Sequence, residues 1–90
     1  VLITGGVHGY ETSGVHGALL FVKERMASFS EKVNVLVLPC VSPWGYETVN
    51  RWTPAAIDPN RSFNPENPGC PEAAAAMAVI AEHVKQSSAI

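Results

Sequence analysis

Two short apolar runs enclose a helix-like segment near the start of the chain, and this order constrains the fold more than any other feature. Residues 1–4 are apolar or β-branched and end at a Gly-Gly turn, and residues 33–39 form a second, nearly continuous apolar run. Such runs are typical of strands covered on both faces, as in parallel sheets. Between them, from about Thr12 to Met26, apolar residues recur at helical spacing, and Thr12 or Ser13 could cap the helix. The pattern predicts a βαβ unit with a right-handed crossover.

A second helix is predicted from Pro71 onward. Proline at the first helical position loses no hydrogen bond, and Glu72 places a carboxylate near the positive end of the helix dipole. We expect its buried stripe to consist of Ala73, Met77, Ile80 and Val84.

The segment 41–70 shows neither a helical nor a strand period and is rich in proline. Loops longer than ~12–15 residues inside compact domains are usually functional or disordered. This segment contains aromatic side chains, which disordered segments generally lack: Trp44, Tyr46, Trp52 and Phe63. We therefore predict an ordered, functional loop.

Charge and hydropathy exclude several classes of partner. The formal net charge of −2 gives no electrostatic footprint for nucleic acid or an anionic membrane. The apolar runs are far shorter than the ~20 residues that span a bilayer. Cys40 and Cys70 could pair in an oxidising compartment, but two cysteines define no disulfide scaffold, so the compartment stays open, with a slight preference for the cytoplasm.

His8 and Glu11 lie between the first strand and the first helix, where parallel α/β folds bind ligands. Side chains three residues apart on one turn can meet a single Zn²⁺ at about 2.0–2.2 Å each. The pair could equally cap a helix start, and these residues alone leave both interpretations open. A phosphate-binding loop is disfavoured because the chain has no Gly-Lys-Ser/Thr and Glu11 would repel phosphate.

Arg51, Asn60 and Arg61 form a candidate receptor for a carboxylate in the proline-rich segment. A guanidinium can hold a carboxylate through two parallel charge-assisted hydrogen bonds, and an asparagine adds a neutral donor. Alternatively, the two arginines form solvated ion pairs with nearby acidic residues such as Glu47 and Asp58. Such pairs contribute little to stability.

Together these segments resemble the zinc carboxypeptidase family, the funnelins related to carboxypeptidase A, close to its amidase and aspartoacylase-like branches. The resemblance rests on His8-Gly-Tyr-Glu11, Ser42-Pro-Trp-Gly-Tyr-Glu47, Arg51 and Ile57-Asp-Pro-Asn-Arg-Ser-Phe63, and covers roughly residues 1–72. It implies an α/β fold with a mixed, mainly parallel sheet flanked by helices, here in the order β-α-β-long loop-α. We interpret residues 1–90 as part of such a catalytic domain, truncated at both ends.

The resemblance also implies a role for each candidate residue. His8 and Glu11 correspond to the first two zinc ligands, Arg51 to the arginine that stabilises the oxyanion, and Asn60 and Arg61 to the pair that grips the substrate's terminal carboxylate. The implied activity is zinc-dependent hydrolysis of a peptide bond next to a free C-terminal carboxylate. The third ligand and the general base are expected beyond the last residue, so we expect the 90 residues alone to be inactive.

Two other functions remain open on the same residues. One is a deacylase or amidase on the same scaffold, acting on an N-acyl amino acid or a cell-wall peptide. The other is a non-catalytic module that binds carboxylates without a metal. We interpret His83 as structural, His16 as a partly buried polar residue, and Cys40 as a small hydrophobic residue closing a strand rather than a nucleophile.

Overall fold

The computed structural model describes residues 1–86, which form a small mixed α/β domain. The helices and strands are β1 (Leu2–Thr4), α1 (Thr12–Glu24), α2 (Met26–Ser30), β2 (Leu36–Leu38), α3 (Pro43–Thr48), a 3-10 helix (Pro59–Arg61) and α4 (Pro71–Gln86). Within these residues no helix is long and apolar enough to cross a bilayer. The last four residues of the predicted domain lie outside the described part of the chain.

The two strands pair in parallel, as the βαβ pattern predicts. The register joins Leu2 to Leu36, Ile3 to Val37 and Thr4 to Leu38. The amide of Gly5 then donates to the carbonyl of Leu38 at 2.9 Å, so the chain leaves β1 at a fixed position. The observed sheet has two parallel strands, and the predicted antiparallel component is not present among residues 1–86.

The crossover between the strands is two helices rather than one. Arg25 separates α1 from α2, with φ of −126°, while its amide still donates to the carbonyl of Phe21 at 2.9 Å. The apolar spacing predicted a single helix up to Met26. A break of one residue, here Arg25, leaves the spacing of the apolar residues unchanged, so the sequence pattern could not reveal it. The bend turns the chain before β2 begins.

The N-terminal end of α1 has no side-chain cap, so the predicted capping role of Thr12 or Ser13 is wrong. Glu11 occupies the cap position, and its amide donates to the carbonyl of His8 at 3.1 Å. The Glu11 carboxylate does not bond to the first amides of the helix. It is directed instead toward side chains of the preceding turn and of the long loop.

A small core forms where α1 packs against both strands and α4 packs against β2 and the 3-10 helix. The buried apolar residues are Val15, Ala18, Val41, Cys70, Ala73 and Ala76. The predicted stripe of α4 is therefore only partly correct, since Met77 and Ile80 are half-buried and Val84 is 55% exposed. The buried residues of α4 are the small residues Ala73 and Ala76 near its beginning.

The proline-rich segment is ordered, as predicted, but it contains two short helices that its sequence did not reveal. Helix α3 has six residues and the 3-10 helix has three, too few for a hydrophobic period to register. Helix α3 ends at Val49, whose φ of 59° is left-handed. The 3-10 helix begins after Asp58, whose carboxylate accepts a hydrogen bond from the Asn60 amide at 3.0 Å.

A close backbone approach brings the turn after β1 onto α3. A Cβ at Gly9 would overlap the backbone of Gly45 and Tyr46, so only glycine fits there. The amide of Tyr10 donates to the carbonyl of Asn50 at 3.2 Å. The His8–Glu11 turn is thereby fixed against the loop that carries the predicted arginines.

Candidate metal and substrate site

His8 stands in the turn after β1, and its side chain is only 12% exposed. Its Nε2 lies 2.7 Å from Oδ1 of Asp58, and its Nδ1 lies 3.5 Å from Oε1 of Glu11. The two ring nitrogens therefore face two different carboxylates.

The contact with Asp58 determines which nitrogen of His8 carries the proton. The hydrogen bond to His8 is the main influence that holds the pKa of the Asp58 carboxyl below its ordinary value. An ionised carboxylate can only accept, so Nε2–H of His8 is the donor and, in the neutral ring, Nδ1 presents a lone pair. Metal-binding histidines are oriented in the same manner by a carboxylate on the distal nitrogen.

Asp58 was predicted from the sequence only as a partner for Arg61 and not as a residue of the site. A contact between positions 50 residues apart leaves no local spacing signal. The resemblance offered the only available signal, since Asp58 lies inside the Ile57–Phe63 motif.

The gap between Nδ1 of His8 and Oε1 of Glu11 fits a shared zinc ion. Two donors each about 2.0–2.2 Å from a tetrahedral zinc would lie about 3.4 Å apart, and the observed separation is 3.5 Å. Two arrangements make this approach favourable: a cation between a neutral His8 and Glu11, which are then both acceptors, or a proton on Nδ1 that is donated to Glu11.

These two donors are one fewer than a catalytic zinc takes from its protein. Asp58 is not the third, because it binds the opposite nitrogen of the ring. In the part of the chain that the structure covers, no group of three or more His, Cys, Asp or Glu side chains could hold a metal ion. The donors open into a pocket of about 360 Å³ that Asn60 also lines, which we call the His8 pocket.

Arg51 contacts the second of these donors. Its Nη1 lies 3.3 Å from Oε2 of Glu11 and donates to the Tyr10 hydroxyl at 3.1 Å, and its guanidinium carbon lies 5.9 Å from the Tyr10 ring centroid. The hydrogen bond to Tyr10 is the main influence that raises the pKa of Arg51. The alternative prediction that Arg51 pairs with Glu47 is wrong. The close backbone approach at Gly9 brings Glu11 within 3.3 Å of Arg51, so Arg51 pairs with Glu11.

Asn60 and Arg61 are placed differently from each other. Asn60 is one of the residues that line the His8 pocket, and its backbone amide donates to Oδ1 of Asp58. Arg61 is 86% exposed, and its Nε lies 3.8 Å from Oδ2 of Asp58. Arg61 therefore makes the solvated pair with Asp58 that the sequence analysis gave as its alternative, and lies at the rim of the site.

The remaining histidines do not join the site. His16 is exposed, so its expected partial burial is wrong, and its ring lies 6.2 Å from that of Tyr46. Nδ1 of His83 lies 3.1 Å from the carbonyl of Val79 within α4. Cys40 is a free thiol whose pKa is raised by burial, which disfavours a nucleophilic role.

Residues 1–86 match a family described as "Protein of unknown function (DUF2817)". No curated protein matches the chain at a significant level.

Proposed function

This chain belongs to the DUF2817 family, and from that premise we propose that it carries part of the active site of a zinc-dependent, carboxypeptidase-type hydrolase. The observation that carries the proposal is the 3.5 Å approach of His8 Nδ1 to Glu11 Oε1, with Asp58 bonded to the opposite ring nitrogen. Three side chains from two separate segments thus present the geometry of two metal donors and their supporting carboxylate.

His8 and Glu11 would hold the zinc, with Asp58 fixing the tautomer and the ring orientation of His8. Bound zinc supplies Lewis-acid polarisation of a carbonyl oxygen and a water whose pKa is lowered to about 7. A third protein donor is needed besides these two, and the proposal requires one.

Arg51 would stabilise the negative charge that develops on the carbonyl oxygen during attack. Its Nη1 already contacts Glu11 and Tyr10, so the guanidinium is held beside the metal donors. Within residues 1–86, Nη2 and Nε of Arg51 make no hydrogen bond, which leaves donors for a substrate oxygen. A fixed donor aimed at developing charge is among the largest contributions to such catalysis.

The substrate would be a peptide or an N-acyl amino acid with a free carboxylate. Asn60 faces the His8 pocket and would donate to that carboxylate, while the exposed Arg61 would approach it from the rim. Water adds to the amide carbon, the carbon–nitrogen bond breaks, and the amine leaves with a proton. A deacylase or amidase would use the same residues for the same bond change.

The test is chelator-sensitive amide hydrolysis by the full-length protein. We expect hydrolysis of an N-acyl amino acid or a short peptide to stop when zinc is removed and to return when zinc is restored. Hydrolysis that is indifferent to the chelator would contradict the proposal. Saturable carboxylate binding without zinc or hydrolysis would support the non-catalytic module instead.

A further inference from the structure

Both tryptophans of the chain line one open pocket that the proposed metal chemistry does not use. This indole pocket has a volume of about 480 Å³ and is lined by Trp44, Asn50, Arg51, Trp52, Thr53, Pro54 and Ala56. The tryptophans are 40% and 47% exposed, although tryptophan is highly buried on average. In the described residues neither indole pairs with another aromatic ring.

The frame of the indole pocket is a tight turn held by three hydrogen bonds between Thr53, Ala56 and Ile57. The amide of Thr53 donates to the carbonyl of Ile57 at 3.0 Å, and the amide of Ala56 donates to the carbonyl of Thr53 at 2.8 Å. The buried hydroxyl of Thr53 accepts from the Ile57 amide at 3.2 Å. A pocket formed in advance loses less conformational entropy on binding.

Two residues of this region have left-handed backbone conformations. Val49 has φ of 59° and Ala56 has φ of 61°. A β-branched residue rarely adopts such a value, and backbone strain concentrates at ligand-binding sites. Both residues lie in the segment that forms the indole pocket, one directly before Asn50 and the other in its wall.

Arg51 belongs both to the indole pocket and to the candidate metal site. Arg51 lines the indole pocket, and its Nη1 lies 3.3 Å from Oε2 of Glu11, which lines the His8 pocket. The Arg51–Glu11 contact therefore joins the indole pocket to the His8 pocket, which Asn60 also lines. A substrate with its amide carbonyl at Arg51 and its carboxylate at Asn60 would place its acyl group beside the indole pocket.

We propose that the indole pocket binds an aromatic acyl group, so that the substrate class is an N-aroyl or N-arylacyl amino acid. This assignment rests on the proposed function for the direction of the substrate. A flat ring can stack on the exposed indoles and on the guanidinium plane, and these contacts favour it over a small aliphatic acyl group.

Intrinsic tryptophan fluorescence tests the proposal directly, because both fluorophores line the pocket. Zinc-free protein is titrated with benzoylglycine, acetylglycine and acetylphenylalanine. We expect benzoylglycine to bind about tenfold more tightly than acetylglycine, and more tightly than acetylphenylalanine, whose ring is on the other side of the amide. Equal affinities, or no saturable change with any of the three, would overturn the proposal.

Substitutions in and outside the indole pocket test whether benzoylglycine binds there. Trp52→Ala should lower the affinity for benzoylglycine to that for acetylglycine, with Trp44 remaining as the reporter, whereas Trp52→Phe should retain the preference. Phe29→Ala is the matched control, because Phe29 is an exposed aromatic residue outside the pocket. An equal loss in Phe29→Ala would contradict the assignment, and circular dichroism verifies that each variant is folded.

The titration separates this proposal from the hydrolase. The indole pocket contains neither His8 nor Glu11, so benzoylglycine should bind whether or not zinc does. Selective binding without zinc-dependent hydrolysis would support the pocket and refute the hydrolase. Zinc-dependent hydrolysis without a preference for the aromatic acyl group would support the hydrolase and refute the assignment of the indole pocket.

Discussion

The imidazole of His8 lies 2.7 Å from the carboxylate of Asp58, although 50 residues separate them in the chain. This hydrogen bond orients the ring so that its other nitrogen faces Glu11 at 3.5 Å. The three side chains come from the turn after β1 and from the residue before the 3-10 helix. The proposed metal site therefore depends on how the long loop is fixed against that turn.

Asp58→Asn should weaken zinc binding by about 10- to 100-fold, because loss of the carboxylate that orients a metal-binding histidine has that effect. The measurement is a competition titration with a zinc chelator on the full-length protein. Glu66→Gln is the control, since Glu66 is an exposed acid of the same loop that does not line the His8 pocket. Equal zinc affinity in Asp58→Asn and in the control would refute the orienting role.

Arg51→Ala should lower kcat by about 10²–10³-fold with little change in KM, because a donor to developing charge acts in the transition state. Steady-state kinetics with an acylated amino acid provide the measurement. Arg25→Ala, at the junction of α1 and α2, removes an exposed arginine away from the site and should have no effect. A change confined to KM would mean that Arg51 only binds the substrate.

Arg61→Ala should mainly raise KM for substrates with a free carboxylate, because its side chain is 86% exposed at the rim and, among residues 1–86, forms an ion pair with Asp58 alone. Amidated substrates of the same sequence serve as the comparison and should be little affected. Unchanged activity on carboxylate-bearing substrates would show that Arg61 has no part in recognition.

Gly9→Ala should destabilise the fold by about 1–3 kcal/mol, since the new Cβ would overlap the backbone of Gly45. Gly17→Ala is the matched control, because a Cβ there meets nothing within 4 Å inside α1. That variant should gain about 0.5–1 kcal/mol from the higher helix propensity of alanine. Urea unfolding of both variants should therefore give shifts of opposite sign, and a shift of the same sign would contradict the packing described here.

Cys40 should react slowly with alkylating reagents at neutral pH. Burial raises the pKa of its thiol, so less of the reactive thiolate is present at a given pH. Mass spectrometry that resolves Cys40 from Cys70 can compare its alkylation rate with that of a small-molecule thiol. A faster reaction at Cys40 would restore the nucleophile interpretation.

Local patterns predicted the elements that depend on neighbouring residues. The apolar runs gave the parallel pair β1–β2, and the Pro71-Glu72 pair correctly located the start of α4. The same patterns failed where tertiary packing decides the outcome. Val84 has the spacing of a buried residue, but it is 55% exposed, because helical spacing does not say which neighbours cover a face.

The candidate site was predictable only in part. His8 and Glu11 are close in sequence, so their spacing was sufficient to predict that their side chains approach each other. The partners of Arg51 and Asp58 lie 40 and 50 residues away, and the contacts exist because Gly9 lets two backbone segments touch. The spacing of residues along the sequence cannot predict that two distant backbone segments approach each other.

The most direct test of the central claim is the zinc content of the purified full-length protein and two histidine variants. His83→Ala is the matched control for His8→Ala, since His83 contacts only its own helix among the hydrogen bonds of residues 1–86. We predict about one zinc per chain in the unmodified protein and in His83→Ala, and loss of the metal in His8→Ala. Equal zinc in both variants, or none in the unmodified protein after zinc is supplied, would contradict the account.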